Sequence, residues 1–571
     1  MPLTKLKKSP RKFLRLLKKN DLILVLIFLI GIFFRFYNLN WDEGYSFHPD
    51  ERNIAASVSR IRFFSQMNPQ FFAYGSFPIY LYRATGDLLN YLFKDDDWNY
   101  NWAKINVVGR WWSAFFSSLT LIFVYKLATK LFNNKVGMIA FFLTAFTAFL
   151  IQTAHFAVTE SLLTFFIVII VYLSLNILEK PSFSQSLKLV LTCGLALSTK
   201  ISALTFFLPP TFAFLYLAAK NFKEKQFDRV ISNLFNLFSF LLLSFCLFLI
   251  VCPFTLLDFE KFMESMKYEG GIVTGRLIVC YVYQFIKTQP YIYWVKNWVF
   301  TQGPLLALTS VLSFSYIIYL TLRERNIRFI LLVIWPIVYF AIVGRWFAKF
   351  VRYLAPLYPF LAIFSAKFLV DFNRTFKNLK FILFLVLTTT FLYSLAFETI
   401  YFRPQTRILA SNWIYQNIPP GAKVLTEHWD DGLPVSTELG NPGFYRIEQL
   451  TIYEPDNQEK INYYAKKLSE ADYIVINSRR LYGTLINLPE RYPITSRYYK
   501  LLFSGELGYE KVAQFTSYPA LKIGKWQIEF NDDSSEETFQ VYDHPKVMIF
   551  KNRKKFSREI LLERLYHETL Y

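Results

Sequence analysis

The sequence predicts a polytopic α-helical membrane protein with about eleven transmembrane helices and a C-terminal α/β domain outside the membrane. Three observations lead there. Of the 571 residues 54% are hydrophobic and only 18% charged, where a soluble domain carries about a quarter charged. The apolar excess sits in runs such as DLILVLIFLIGIFF and NLFNLFSFLLLSFCLFLIV, whereas residues after about 400 contain no run long enough to cross a bilayer. The net charge of +21 also belongs to the first 400 residues, because from 401 onward 22 basic residues are matched by 22 acidic ones. Placed in short loops between apolar spans, that charge is an orientation signal, and no nucleic-acid partner is expected.

Composition closes other classes. The 62 Phe and 37 Tyr exclude disorder, 20 Gly exclude a collagen-like chain, and four Cys in so long a chain exclude a disulfide framework. Cys193, Cys246, Cys252 and Cys280 fall in or beside apolar segments. They read as buried small hydrophobes, with a Cys252–Cys280 bridge as the alternative.

Apolar runs place spans near 21–38, 106–127, 136–153, 158–178, 186–203, 204–219, 231–252, 303–322, 327–344, 353–370 and 380–398. The 204–219 run is short and carries Pro209 and Pro210. The N-terminal stretch KLKKSPRKFLRLLKKN holds eight Lys and Arg, so residues 1–20 are expected in the cytoplasm. No small-residue cleavage site follows the first apolar run, which is therefore expected to stay as a span. With eleven spans the basic loops near 126–135, 180–188, 220–229, 323–328 and 367–380 fall on the cytoplasmic side as well. The expected organisation is a basic segment 1–20, a transmembrane domain 21–400 with external loops 39–105 and 253–302, and an extracytoplasmic domain 401–571, all in the cell membrane.

Within the first external loop, residues 49–67 place Ile54, Val58, Ile61 and Phe64 at helical spacing and predict an interfacial amphipathic helix. In the tail, SNWIYQNIPPGAKVL and INYYAKKLSEADYIVINS each read as a helix followed by a short strand. The closing KNRKKFSREILLERLYHETLY reads as a basic helix.

Chemistry-bearing residues gather on the external side. WDEGYSFHPDERNIAA sets two Asp-Glu pairs eight residues apart just beyond the first span, and acids at a membrane mouth are a functional-site hypothesis by default. Pro49 suits a first helical turn, which puts Asp50 and Glu51 at a helix N-terminus whose dipole favours a carboxylate. Capping of that helix is the alternative, and Asp42 could equally be a solvated loop residue. His155 and Glu160 in AHFAVTESLLTFF stand near the outer ends of two spans. With Asp50 they could hold a divalent cation, although their spacing matches no specific metal signature; a helix-capping Glu160 and a His155 ring satisfied by a neighbouring carbonyl are the alternatives, and no organic cofactor is expected. Arg110, Lys200 and Arg352 fall at or within the outer third of spans, where an embedded cation needs a partner. Snorkelling to the headgroups is the alternative for each.

Acids and cations facing one outer-leaflet cavity suit a reaction in which a phosphate leaves and a hydroxyl is deprotonated. Cations that hold the phosphate remove the need for a general acid, and one carboxylate base can activate the acceptor for inverting attack. A polyprenyl-phosphate-linked sugar is the donor that such a site outside the cytoplasm would need. The expected partners are that lipid, the surrounding membrane lipids and an acceptor hydroxyl on a protein, lipid or glycan.

At these residues the chain resembles the GT-C membrane glycosyltransferases, in the group of protein O-mannosyltransferases and the lipid A aminoarabinose transferase. The likeness covers roughly 30–400. It rests on HPDERNIAASVSRI, GSFPIYLYR, VGRWWSAFFSSLTLIFVYKLA, AHFAVTESLLTFF, GLALSTKISAL and VRYLAPLYPFLAIF, in that order. The resemblance implies that Asp50 is the catalytic base with Glu51 beside it, that Glu160 is a second-loop partner, and that Lys200 and Arg352 serve the donor phosphate; Arg110, from its place in a span, is a further candidate for that phosphate. The second-loop acid of the family is commonly Asp, so Glu160 is a departure. The rival class, a secondary transporter or lipid flippase, also embeds charges in spans. Two features speak against it: the halves show no internal repeat, and the suspect charges lie toward one face instead of at the midplane. A catalytically inactive binding protein is the remaining rival.

Overall fold

The computed structural model describes residues 19–566. All eleven predicted apolar runs are helical. In chain order the membrane part comprises α1 (Lys19–Phe36), α2 (Pro49–Arg60), α3 (Ser76–Phe93), α4 (Trp102–Leu131), α5 (Asn134–Ala145), α6 (Ala148–Ala154), α7 (Glu160–Glu179), α8 (Phe183–Thr199), α9 (Leu208–Lys223), α10 (Phe227–Val251), α11 (Phe259–Thr274), α12 (Ile292–Gln302), α13 (Pro304–Glu324), α14 (Ile327–Val343), α15 (Tyr358–Thr375) and α16 (Phe381–Glu398). Among the described residues seven helical segments are long and apolar enough to cross a membrane, and an eighth is the α5–α6 pair, bent by 57°. The remaining predicted spans fall short for visible reasons. α1 carries Lys19, Asp21 and Arg35, and α8 and α14 have only 17 residues each.

α7 is apolar all round and sits inside the bundle, with Ile167, Ile170 and Val171 fully buried against its neighbours. α10 is equally apolar but turns Phe235, Phe238 and Ile250 outward, as a lipid-facing helix would. The doubtful run at 204–219 is a helix because a 3₁₀ turn at Ile201–Phe207 leads into α9 and leaves Pro209 and Pro210 in its first turn. There a missing N–H costs nothing.

Two expectations are corrected. The helix predicted over 49–67 stops at Arg60, and Ile54, Val58 and Ile61 pack with Tyr74, Ile79 and Tyr82 instead of facing lipid. All four cysteines are free, and Cys246 is exposed on the lipid-facing α10 while Cys280 is only half-buried.

Beyond α16 lie α17 (Thr406–Asn417), α18 (Gln458–Glu470), α19 (Pro493–Ser504) and α20 (Arg558–Leu565), with strands β1 (Lys423–Glu427), β2 (Arg446–Leu450), β3 (Tyr473–Ile476), β4 (Tyr509–Phe515), β5 (Ala520–Ile523), β6 (Trp526–Glu529) and β7 (Val547–Asn552). A five-stranded mixed sheet has the order β2-β1-β3-β7-β4, and β5-β6 is a separate hairpin. β1 pairs parallel to both β2 and β3, in register Val424↔Ile447 and Val424↔Tyr473, while β7 runs antiparallel to β3 and β4. In the last basic stretch the start belongs to β7, and among the described residues the helix is confined to α20. Residues 567–571, like the basic segment before residue 19, lie outside the described residues.

The topology fixes one edge. The C-terminal ends of β1 and β3 and the N-terminal end of antiparallel β7 open the same way. The loops at 428–445, 477–481 and 530–546 therefore gather there and meet the membrane part.

Candidate functional site

α2 begins with His48, whose Nδ1 accepts from the Asp50 N–H at 3.2 Å, followed by Pro49 in the first turn. Burial, seconded by Arg352 and other nearby cations, holds the His48 imidazole well below its usual range. It stays neutral and keeps that nitrogen as an acceptor. Its ring packs 4.0 Å from Tyr542 of the tail. The cap aims the first turn of α2, which sends Asp50 and Glu51 in different directions.

Glu51 turns inward. Arg110 of α4 gives its Nε to Glu51 Oε1 at 2.9 Å and Nη2 to Oε2 at 2.5 Å, and holds Asp42 through Nη1 at 2.9 Å and Nη2 at 2.7 Å. Its fifth N–H reaches Leu39 O at 2.9 Å. Every donor of the guanidinium is used, which is the geometry in which a buried arginine is tolerable. Glu51 takes a further bond from the Ala157 N–H at 2.6 Å. Burial pushes the Asp42 carboxyl up, but Arg110 and the loop N–H groups outweigh it and hold it below the usual range. The arrangement corrects the assignment of Arg110 to a donor phosphate: its guanidinium is fully buried and has no N–H left to give. It likewise takes Asp42 and Glu51 off the cavity wall and makes them positioning residues for α2.

Asp50 points the other way, into a cavity of about 1150 Å³ whose wall also carries Glu160, Lys200, Glu269, Arg352 and Arg480. Arg352 pairs through Nη1 with Asp50 Oδ2. No hydrogen bond reaches Asp50 Oδ1 among the described residues. Lys200 caps the C-terminus of α8 in extended conformation, lies over the Tyr74 ring at 4.9 Å, and has its Nζ 3.8 Å from Glu160 Oε1. Glu160 opens α7, and its other oxygen is buried without a partner. Gly75 fixes this corner: a Cβ there would lie 1.9 Å from the Ser198 carbonyl oxygen, so only glycine lets Tyr74 come up under Lys200.

His155 leaves the site. Its two ring nitrogens lie 2.9 Å from the carbonyls of Ile151 and Tyr37, and Tyr401 stacks on it at 3.7 Å. The divalent cation that Asp50, His155 and Glu160 together could hold finds no support in this position of His155. Among the described residues no three His, Cys, Asp or Glu side chains converge on a metal position.

Sequence reasoning missed two walls of the cavity. Glu269 arrives on α11, between α10 and α12, and burial raises its carboxyl against the pull of Lys200. It follows the apolar face of a helix with Met263 and Met266 on the same wall, a periodicity that could have pointed to it. Arg480 and Glu537 come from tail loops without any motif.

The helices and this cavity define a polytopic α-helical membrane protein with a GT-C-like fold. The Archaeoglobus fulgidus oligosaccharyltransferase has the same fold: its apo form matches with a TM-score of 0.50 at 14% identity, over 94% of this chain and 88% of that one. Its complex with Zn and sulfate matches with a TM-score of 0.50 at 16% identity, over 86% and 71%. ArnT from Cupriavidus metallidurans bound to undecaprenyl phosphate matches with a TM-score of 0.45 at 13% identity, over 84% and 95%. Residues 103–250 match the family model described as dolichyl-phosphate-mannose-protein mannosyltransferase. The chain thus shares its fold with the oligosaccharyltransferase, and its residues 103–250 are similar to the mannosyltransferase family model. No curated protein sequence matches it.

Proposed function

We infer that the protein moves a sugar from a polyprenyl-phosphate donor to a hydroxyl acceptor, with inversion, on the external face of the membrane. One observation carries this reading: a carboxylate, Asp50, with one oxygen unengaged shares a large cavity with Lys200 and Arg352 at the ends of apolar helices. Asp50 Oδ1 takes the acceptor proton as the acceptor oxygen bonds to the anomeric carbon. The bond from that carbon to the phosphate oxygen breaks, and its electron pair leaves with the polyprenyl phosphate. Lys200 and Arg352 balance the charge that develops there. Arg352 fits both roles, since its planar fork can hold an acid and a phosphate oxygen together. The basic loops and the helices at all eleven predicted spans support a cytoplasmic N-terminus and an external tail. Acceptor classes remain protein, lipid and glycan.

The test is reconstitution into vesicles with a labelled polyprenyl-phosphate sugar in one leaflet. Transfer predicts free polyprenyl phosphate and an acceptor product of inverted anomeric configuration. Intact donor appearing in the opposite leaflet, with none consumed, would replace the enzyme reading by the flippase one.

A further inference from the structure

The tail edge that meets the membrane part is built as a ligand wall. Trp429 follows the end of β1 by two residues and Arg480 follows the end of β3 by four. In a parallel pair the carboxyl ends of the strands are where ligands settle. The two loops are tied to each other: Ser478 Oγ bonds Asp430, Asn477 Nδ2 bonds the Asp431 carbonyl, and the Arg480 N–H reaches Ser478 Oγ at 3.1 Å. Arg480 is thus fixed before any ligand arrives.

Its guanidinium is only half used. Nε is anchored on Glu537 Oε1 at 2.7 Å and the group lies over the Tyr542 ring at 5.6 Å, while Nη1 and Nη2 make no hydrogen bond among the described residues and the residue lines the cavity. The other cations lining the cavity, all from the membrane part, are engaged through terminal groups, Arg352 with Asp50, Arg52 with Asp431 and Lys200 with Glu160. Burial pushes Glu537 up to about 7 against the pull of Arg480, so near neutrality the pair keeps much of its positive charge. Trp429, which lines the same cavity, is half-exposed at 52% and sits at φ +84°. A bulky side chain in that region is strained and persists where the surroundings impose it, often at a ligand clamp. Tyr453 stands edge-on to its ring at 6.4 Å.

We propose that this edge is a subsite for an anionic saccharide acceptor, whose sugar ring lies on Trp429 while Arg480 holds its carboxylate or phosphate. It rests on the transfer reading above and adds the acceptor class. A flat aromatic face takes the C–H side of a sugar ring, and two free parallel N–H groups match two oxygens of one anion. Trp429 and Arg480 belong to the tail, whereas Lys200 and Arg352 belong to the membrane part, which is left to the donor phosphate.

The test uses the purified full-length protein in detergent, without donor, and three probes: methyl glucuronide, glucose 1-phosphate and neutral methyl glucoside. At least one charged probe should bind at least tenfold tighter than the neutral one, and which of the two does so distinguishes carboxylate from phosphate. Arg480→Gln should erase that preference, Arg480→Lys should keep part of it, and Trp429→Ala should weaken all three probes alike. Binding of polyprenyl phosphate should not change in Arg480→Gln. Equal binding of charged and neutral probes, a preference that survives Arg480→Gln, or weakened polyprenyl phosphate binding in that variant would each overturn the proposal. So would a Ser/Thr peptide that binds tighter than every saccharide. Because donor is absent, failure to turn over lipid-linked sugar sinks the transfer reading and leaves this result standing.

Discussion

Arg110→Met removes the guanidinium that holds Asp42 and Glu51 while keeping most of its volume. Both acid side chains are 1% exposed or less, so neither can recover by turning to water. Four of the five guanidinium bonds go to these carboxylates. Removing one partner of a buried ion pair costs about 3–5 kcal/mol, and a second stranded acid puts this case at the upper end. The Gly44 and Ala157 N–H groups still donate to the acids and set a limit on the loss. Against a typical total of about 5–15 kcal/mol, the variant should be strongly destabilised. The assay is thermal unfolding of the detergent-solubilised protein. The triple variant Arg110→Met, Asp42→Asn, Glu51→Gln should regain most of the loss, since no uncompensated charge remains. Unchanged stability in the single variant, with only donor binding weakened, would refute the positioning role and return Arg110 to the phosphate.

Lys200→Ala should weaken donor binding and slow transfer together, by about 1.5–3 kcal/mol for one charge-assisted bond; Arg352→Lys should do likewise despite keeping the charge, and kinetics with donor and acceptor varied separately decide. Gly75→Ala drives a Cβ into the Ser198 carbonyl, so it should lower both thermal stability and donor binding, the latter by shifting Tyr74 under Lys200. His544 lies between Asp532 at 2.7 Å and Asp543 at 2.6 Å; burial alone would lower its pKa, but the two acids push it to about 10. A folded-state value above the unfolded 6.5 means stability fully present below pH 6.5 and lost as pH rises toward 10, at up to about 1.4 kcal/mol per unit. Unfolding scans from pH 6.5 to 9.5 should show that decline, and His544→Asn should flatten it.

How much was legible in the sequence depends on how local the signal is. Long apolar runs declare helices within one segment, and His48-Pro49-Asp50 declares a helix start within three residues. Lys200 and Arg352 were legible because a cation in an apolar run stands out, even 152 residues apart in the chain. What they face was not. Arg110 looked like a phosphate ligand because its acids lie 59 and 68 residues away, and nothing local says that they consume it. His155 looked like a metal ligand because backbone carbonyls that satisfy an imidazole leave no trace in composition. The helix at 49–60 reads as interfacial by periodicity, yet α3 and α4 cover its apolar face. Arg480 and Trp429 were invisible, since only the sheet topology brings the ends of β1 and β3 to the membrane part.

The central claim is that Asp50 is the base of a sugar transfer in this cavity. Single-turnover kinetics of Asp50→Asn with a polyprenyl-phosphate sugar and a hydroxyl acceptor test it most directly, with donor binding measured in parallel. The account predicts a transfer rate about 10²- to 10⁴-fold lower, with donor still bound and the protein folded. A near-normal rate in that variant, with donor bound, would contradict it.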